Sequence, residues 1–242
     1  MTALAETRVA APDVVTASGV SFAWPGRDAF RLSIDSFVLP ARSRTLLIGP
    51  SGSGKSTFLN LLCGITSPDR GTIRIAGTAL EGLNLAARDR FRAEHIGVIF
   101  QMFNLLPYGS VIDNVVLPLR FAPARRRRAA LHHPVEAEAA RLLMALGLPA
   151  DRHKVPTATL SIGQQQRVAA ARALIGAPDL IVADEPTSAL DRAHQDRFLD
   201  LLFAQLGAAG ASLVMVSHDE SLGARFDRTV ALSDIIAAED VA

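Results

Sequence analysis

Gly49-Pro50-Ser51-Gly52-Ser53-Gly54-Lys55-Ser56-Thr57 is the stretch from which the rest of the chain can be read. It fits Gly-x-x-x-x-Gly-Lys-Ser/Thr, the pattern of a phosphate-cradling P-loop. Thr45-Leu46-Leu47-Ile48 ahead of it reads as a buried strand, and Phe58-Leu59-Asn60-Leu61-Leu62 behind it as the first turns of a helix. That strand–loop–helix setting is what makes the match credible. The glycines let the backbone wrap tightly, so successive N–H groups point into one concavity, and the helix adds the positive end of its dipole. In such a loop Lys55 reaches the β- and γ-phosphates of a nucleoside triphosphate, and the Ser56 hydroxyl serves Mg²⁺. A plain glycine-rich turn would match by chance in about one chain in a hundred of this length. The pattern therefore says that a nucleoside triphosphate is bound.

Composition sets the bounds around that loop. The 242 residues suffice for one large domain or two small ones. Hydrophobic residues make up 49% and aromatics 5%, so the core is built from Ala, Leu, Val and Ile. A net charge of +1 gives no electrostatic case for a nucleic-acid partner. The single cysteine, Cys63, cannot form an internal disulfide and falls on the apolar helix after the loop, as a packed, reduced thiol. Met1 to Val14 carries Glu6 and has no apolar core, unlike a secretory signal. No apolar run approaches the roughly 18 residues of a membrane span. These features lead us to expect a soluble, cytoplasmic protein that meets a membrane only through a partner.

Residues 1–13 read as a disordered terminus, and 14–242 as one domain. From Val14 to Leu39, short alternating stretches (Gly19–Phe22, Leu32–Phe37) predict antiparallel strands, with turns at Pro25-Gly26 and Pro40. Gly71–Gly77 is a further short strand. Ile96–Phe100, apolar throughout, predicts a strand inside the sheet. The stretch from about 102 to 159 is mainly helical, with one helix from Pro134 to Leu146. Leu180–Ala183 and Leu213–Val216 are two more apolar strands with a helix between them. Strands alternating with helices mean an α/β core with a parallel sheet, here running over 14–101 and 160–242 around the helical insertion.

Polar residues stand where the core strands end, the place where such sheets keep their chemistry. Asp184 and Glu185 follow Leu180–Ala183, Gln101 follows Ile96–Phe100, and His218 follows Leu213–Ser217. An acid at such a spot holds Mg²⁺, and a second carboxylate can orient an attacking water. Gln101 can reach metal and water, and His218 the γ-phosphate. Each also has a plain reading, as a solvated strand end or a satisfied loop residue.

Leu160-Ser161-Ile162-Gly163-Gln164-Gln165-Gln166-Arg167 opens a helix running to Leu174, with Ser161 as its N-cap. Together with Asp184-Glu185-Pro186-Thr187-Ser188-Ala189-Leu190-Asp191, it resembles the signature segments of ATP-binding cassette (ABC) ATPases, from Gly19 to about Ser233 and in the family's order. The resemblance implies a P-loop NTPase (RecA-like) core, an N-terminal antiparallel β subdomain and an inserted α-helical subdomain. It implies ATP and Mg²⁺ as cofactors, with Ser56, Gln101 and Asp184 at the metal. Gly49 to Thr57 would hold the phosphates, and Glu185 would act as catalytic base with His218, Gln101 and Lys55 beside it. Trp24, or less favoured Phe22, would stack on adenine. Family members close as head-to-tail homodimers, so Ser161, Gly163 and Gln164 would meet the γ-phosphate held by the other protomer, with Asp191 near the interface.

Two departures stand out. Ile162 replaces a usual glycine of the signature, at a position that can still be helical. Arg42-Ser43-Arg44 replaces a glycine–acid turn before the loop strand. Phe100 to Pro107 and Val111 to Val115 are similar to the cassettes of the lipoprotein-release and macrolide-exporter group, whose partner is an integral-membrane permease docking on the region after Gln101. That would place the chain at the cytoplasmic face of the membrane. An amino-acid importer cassette, or a soluble non-transport ABC ATPase, are the alternatives. Arg125-Arg126-Arg127-Arg128 reads as a solvated face, or as a contact with anionic lipid.

Overall fold

The computed structural model describes residues 13–26 and 30–236. The expected disordered terminus therefore lies outside the described residues, except for Asp13, which opens the first strand. In chain order the elements are β1 (Asp13–Ala23), β2 (Arg31–Pro40), β3 (Arg44–Ile48), α1 (Lys55–Leu62), β4 (Arg70–Ile75), β5 (Thr78–Ala79), α2 (Leu85–His95) and β6 (Ile96–Ile99). Then follow α3 (Val111–Val116), α4 (Pro123–Ala129), α5 (Val135–Ala145), α6 (Ile162–Leu174), β7 (Leu180–Asp184), α7 (Arg192–Ala209), β8 (Ser212–Ser217) and β9 (Arg228–Ala231).

Two sheets result. β2-β1-β4-β5 is antiparallel, and β6-β7-β8-β3-β9 is parallel. β1 and β2 are longer than the sequence suggested, because β1 continues through Gly19 (φ 56°) with a register shift between Ser18 and Ser21. Gly71 sits so close to this kink that a Cβ there would lie 2.3 Å from the Gly19 carbonyl oxygen.

The parallel strands are apolar on both faces because each face meets a different layer. Side chains alternate: Leu46, Ile181, Ala183, Leu213 and Met215 join the cluster built with the helices α3, α5, α6 and α7. Leu47, Val182, Val214 and Val216 join the cluster under α1 and the antiparallel sheet. Cys63 closes α1 inside that second cluster, where burial pushes its thiol up to about 12.

β6 corrects one expectation. It is an edge strand among the described residues, paired only with β7. Its apolar character comes from coverage of its faces, not from flanking strands. α6 lies so near that a Cβ on Gly97 would stand 2.1 Å from the Ala173 carbonyl.

The four-arginine run corrects another. Arg126 and Arg127 are exposed, but Arg125 is 1% exposed and Arg128 half-buried. The Arg125 guanidinium donates to the carbonyls of Ala93, Ile96, Ala173 and Ile175. The Glu94 carboxylate accepts from the backbone of Ala124 and Arg125, and Arg128 donates to Gly176 and Glu94 carbonyls. One turn of α4 is thus stapled onto the ends of α2, β6 and α6, a third side that a charge run does not reveal.

Arg42 takes φ 61° in the turn before β3, the conformation a glycine would adopt freely, and its N–H donates to Ser212 Oγ at 2.7 Å. Arg44 pairs with Asp227 and lies 4.7 Å from the Phe203 ring centre.

Candidate nucleotide site

Parallel register brings the strand ends together. Ile48 pairs with Ser217, Asp184 with Val216 and Ile99 with Ala183. The residues that follow β3, β6, β7 and β8 therefore emerge along one edge of the sheet. Gly49–Thr57, Gln101, Asp184 with Glu185, and His218 all stand there.

The loop wraps through Gly52 (φ 80°) and Gly54 (φ 100°), and α1 starts at Lys55. Lys55 is nearly buried, and its Nζ donates to the carbonyls of Gly49 and Pro50 at 2.7 and 2.8 Å, bridging the loop's own backbone. The Ser53 hydroxyl is buried and finds no hydrogen-bond partner among the described residues. A concavity edged by the loop backbone and a lysine, with an orphaned hydroxyl buried beneath it, is suited to an anion.

A cavity of about 380 Å³ opens on this loop, walled by Ser51, Gly52, Gly54, Lys55, Ser56, Thr57, Trp24, Gln101, Asp184 and Glu185. Phe30 completes it, a residue the sequence reading passed over. It packs on the loop so closely that a Cβ on Gly54 would lie 2.5 Å from its ring. The signal available was an aromatic at the start of β2, across the hairpin from Trp24, whose N–H donates to the Phe30 carbonyl. Trp24 is 42% exposed, stands edge-on to Phe22 with ring centres 5.0 Å apart, and donates from Nε1 to Thr57 Oγ1 at 3.3 Å. Phe22 itself is buried in the core and does not line the cavity, so of the two aromatics considered for the adenine only Trp24 faces it, beside Phe30.

Burial pushes the Asp184 carboxyl above the usual aspartate range. The Ser56 hydroxyl beside it pulls back, the charge of Glu185 adds to the push, and Lys55 opposes it. Glu185 occupies φ 42°, with its N–H donating to the Val216 carbonyl. The turned backbone separates the two acids. Asp184 stands beside Ser56, while Glu185 Oε2 meets His218 Nδ1 at 3.1 Å.

No group of three or more His, Cys, Asp or Glu placed to hold a metal ion by itself occurs among the described residues. A hydroxyl and one carboxylate nevertheless fit Mg²⁺, which keeps its waters and shares the phosphates of its nucleotide.

Ser161, Gly163, Gln164 and Asp191 do not line this cavity. Ser161 caps α6 through a capping box with Gln164, Ser161 N donating to Gln164 Oε1 at 3.1 Å. Ile162 is the first helical residue and 56% exposed, so more than half of its bulk faces solvent. Asp191 caps α7 and bonds His194. Two buried amides, unforeseen from the sequence, tie these parts together. Gln166 donates to the Pro186 carbonyl at 2.8 Å and Gln195 to Thr187 Oγ1 at 3.0 Å.

The sequence pattern of the ABC transporter family matches residues 32–188. The chain belongs to that family. It is an ATP-binding, ATP-hydrolysing cassette with the P-loop NTPase fold. It is 42% identical to lipoprotein-releasing system ATP-binding protein LolD 1 of Caulobacter vibrioides, over 78% of each chain. To the macrolide export ATP-binding/permease protein MacB of Rhodopirellula baltica it is 41% identical, over 81% of this chain and 28% of that one. Among solved structures, it is similar to the dimeric ATP-binding cassette MJ0796 in a post-hydrolysis state bound to ADP and Pi. That match has a TM-score of 0.74 and 30% identity, covering 90% of this chain and 93% of the other. No helix among the described residues is long and apolar enough to cross a membrane.

Proposed function

We propose that this cassette works as a homodimer closed by two ATP molecules, and that closure drives an integral-membrane permease of the lipoprotein-release or macrolide-export type at the cytoplasmic face. The carrying observation is that the site is split. Most of the loop from Ser51 to Thr57, with Gln101, Asp184 and Glu185, forms one wall, while the exposed N-terminus of α6 and Asp191 lie outside it. A second copy facing head to tail would bring its Ser161, Gly163 and Gln164 to the γ-phosphate, with Asp191 beside the seam. The capping box engages the N–H groups of Ser161 and Gln164, while helix geometry leaves those of Ile162 and Gly163 without a partner in their own helix, and such groups favour an anion.

In the closed site Trp24 stacks on the adenine, and Lys55 exchanges its loop carbonyls for phosphate oxygens. Ser56, Asp184 and Gln101 would hold Mg²⁺, which neutralises phosphate charge when bound. Glu185 takes the proton of the attacking water and His218, bonded to it, stabilises the developing charge.

Permease docking has support in a second, apolar cavity of about 610 Å³, lined by Ala93, Val98, Phe100, Leu117, Pro118 and Phe121. It lies between α2, β6 and residues 117–121, with Asp89, Arg90 and Arg92 also on its wall, and this mix of apolar and charged groups suits an amphipathic helix.

The test is Glu185→Gln. The variant should bind ATP, quenching or shifting the fluorescence of Trp24, should dimerise with ATP in gel filtration, and should turn over at least about a hundredfold more slowly. Near-normal hydrolysis removes Glu185 as base; an ATP-saturated variant that stays monomeric removes the dimer. Co-purification of the ATP-trapped variant with a membrane permease tests the partner.

A further inference from the structure

Beyond β6 the chain passes Gln101 in the cavity wall and then takes two successive residues through the left-handed region, Phe103 (φ 57°) and Asn104 (φ 48°). Asparagine visits that region readily, but a bulky phenylalanine does so only when its surroundings hold it there. The Phe103 ring is anchored on one side, buried with Val111, Val115 and Leu160 in the helical cluster. Its carbonyl is held on the other side by Arg172.

This arginine lies near the C-terminal end of α6, largely buried, and its fork spans both left-handed residues. Nη1 donates to the Asn104 carbonyl at 2.7 Å and Nη2 to the Phe103 carbonyl. Planar two-pronged donation fixes orientation as well as distance, which a lysine ammonium cannot reproduce. α6 thus carries the signature residues at its start and a clamp on the Gln101 loop at its end.

We propose that Arg172 is the positioning residue for Gln101. By fixing the Phe103–Asn104 backbone it sets where the Gln101 amide stands in the nucleotide cavity. The proposal rests on the reading that this cavity is the ATPase site and that Gln101 takes part in turnover.

The experiment measures kcat and KM for ATP in the full chain and in Arg172→Met, Arg172→Lys, Gln101→Ala and Gln101→Ala/Arg172→Met, with a melting midpoint for each. Losing both charged hydrogen bonds should lower kcat on the order of tenfold in Arg172→Met. KM should stay within about twofold, because the phosphate loop is untouched. Arg172→Lys should fall between. Where Gln101 is already alanine, Arg172→Met should lower kcat no further, whereas a merely structural arginine would lower it by the same factor again. If Arg172→Met does not fold, the same cycle run with Arg172→Lys carries the decision. A wild-type kcat in Arg172→Met, or equal losses in both backgrounds, overturns the proposal while leaving the site intact. An unchanged kcat in Gln101→Ala alone overturns the reading of Gln101, and the proposal with it.

Discussion

Replacing Arg125 by methionine should unfold this protein far more easily than any other change in its four-arginine run. The guanidinium makes four hydrogen bonds, all to carbonyls at the ends of α2 and α6 and on β6. A hydrogen bond from a charged donor contributes about 1.5–3 kcal/mol. Against this stands the removal of the charge from water, visible in a pKa pushed down to about 10 by burial. That displacement, mostly lost solvation with the repulsion of Arg128 added, corresponds to about 3 kcal/mol against the charged form. The variant removes the charge but leaves four carbonyls without a donor, and only those beside the apolar groove, which Arg125 helps to line, regain water. A net loss of about 3–5 kcal/mol follows, the usual range for breaking a buried charged network. For a chain of this size it corresponds to a fall in Tm of about 10 °C. Arg126→Ala and Arg127→Ala, at exposed positions, should stay within about 0.5 kcal/mol of the parent. Thermal melts of the three variants side by side make the comparison. An Arg125→Met protein melting within about 2 °C of the parent would sink the account of a stapled arginine.

Three further outcomes follow from single contacts. Gly97→Ala should cost about 2–3 kcal/mol, because the new Cβ meets the Ala173 carbonyl at 2.1 Å and a helix backbone cannot step aside. Gly207→Ala in α7, with nothing within 4 Å of the new methyl, should instead stabilise by about 0.5–1 kcal/mol in the same denaturation assay. The hydrogen bond from His95 holds the Asp179 carboxyl below its ordinary value of 3.8. Its stabilisation is present above that value and lost as pH falls through the folded one. Asp179→Asn should therefore flatten the loss of stability between pH 5 and pH 3 by up to about 1 kcal/mol, a small effect because the pair is partly exposed.

The parts of this fold that were legible in the sequence are those where one residue type has few alternatives. Gly54 and Lys55 between an apolar strand and a helix leave little else to read, and strands such as Leu213–Val216 declare themselves by being apolar on both faces. What composition cannot declare is the neighbour. Ile96–Ile99 has the letters of a central strand, yet it lies at the edge, because helices supply the coverage that a flanking strand would. α2 went unread because none of its residues is buried, so it carries no apolar period. β9 went unread because it is four residues long with only Val230 buried. The arginine run did contain its answer. Ala122, Arg125 and Ala129 share one helical face, and all three are buried. Reading the run by spacing rather than by charge would have separated Arg125 from its neighbours.

Glu185 shows how the site and its stability pull apart. It is the residue proposed as base, and it is also held at φ 42°, where an L side chain is strained. The strain has a use. The turned backbone sends Glu185 toward His218 and leaves Asp184 beside Ser56, so two adjacent acids serve two places. Comparing Glu185→Gly with Glu185→Ala isolates the backbone, since both remove the carboxylate and its bond to His218. In most places glycine is less stable than alanine by about 0.5–1 kcal/mol through the entropy of the unfolded chain. Here alanine would keep the left-handed penalty of about 1–2 kcal/mol, which glycine escapes. The order should therefore invert, with the glycine variant more stable by about 0.5–1 kcal/mol in urea denaturation. Both variants should have lost ATP turnover. If alanine proves the more stable of the two, Glu185 is not strained, and the division of labour between the two acids needs another cause.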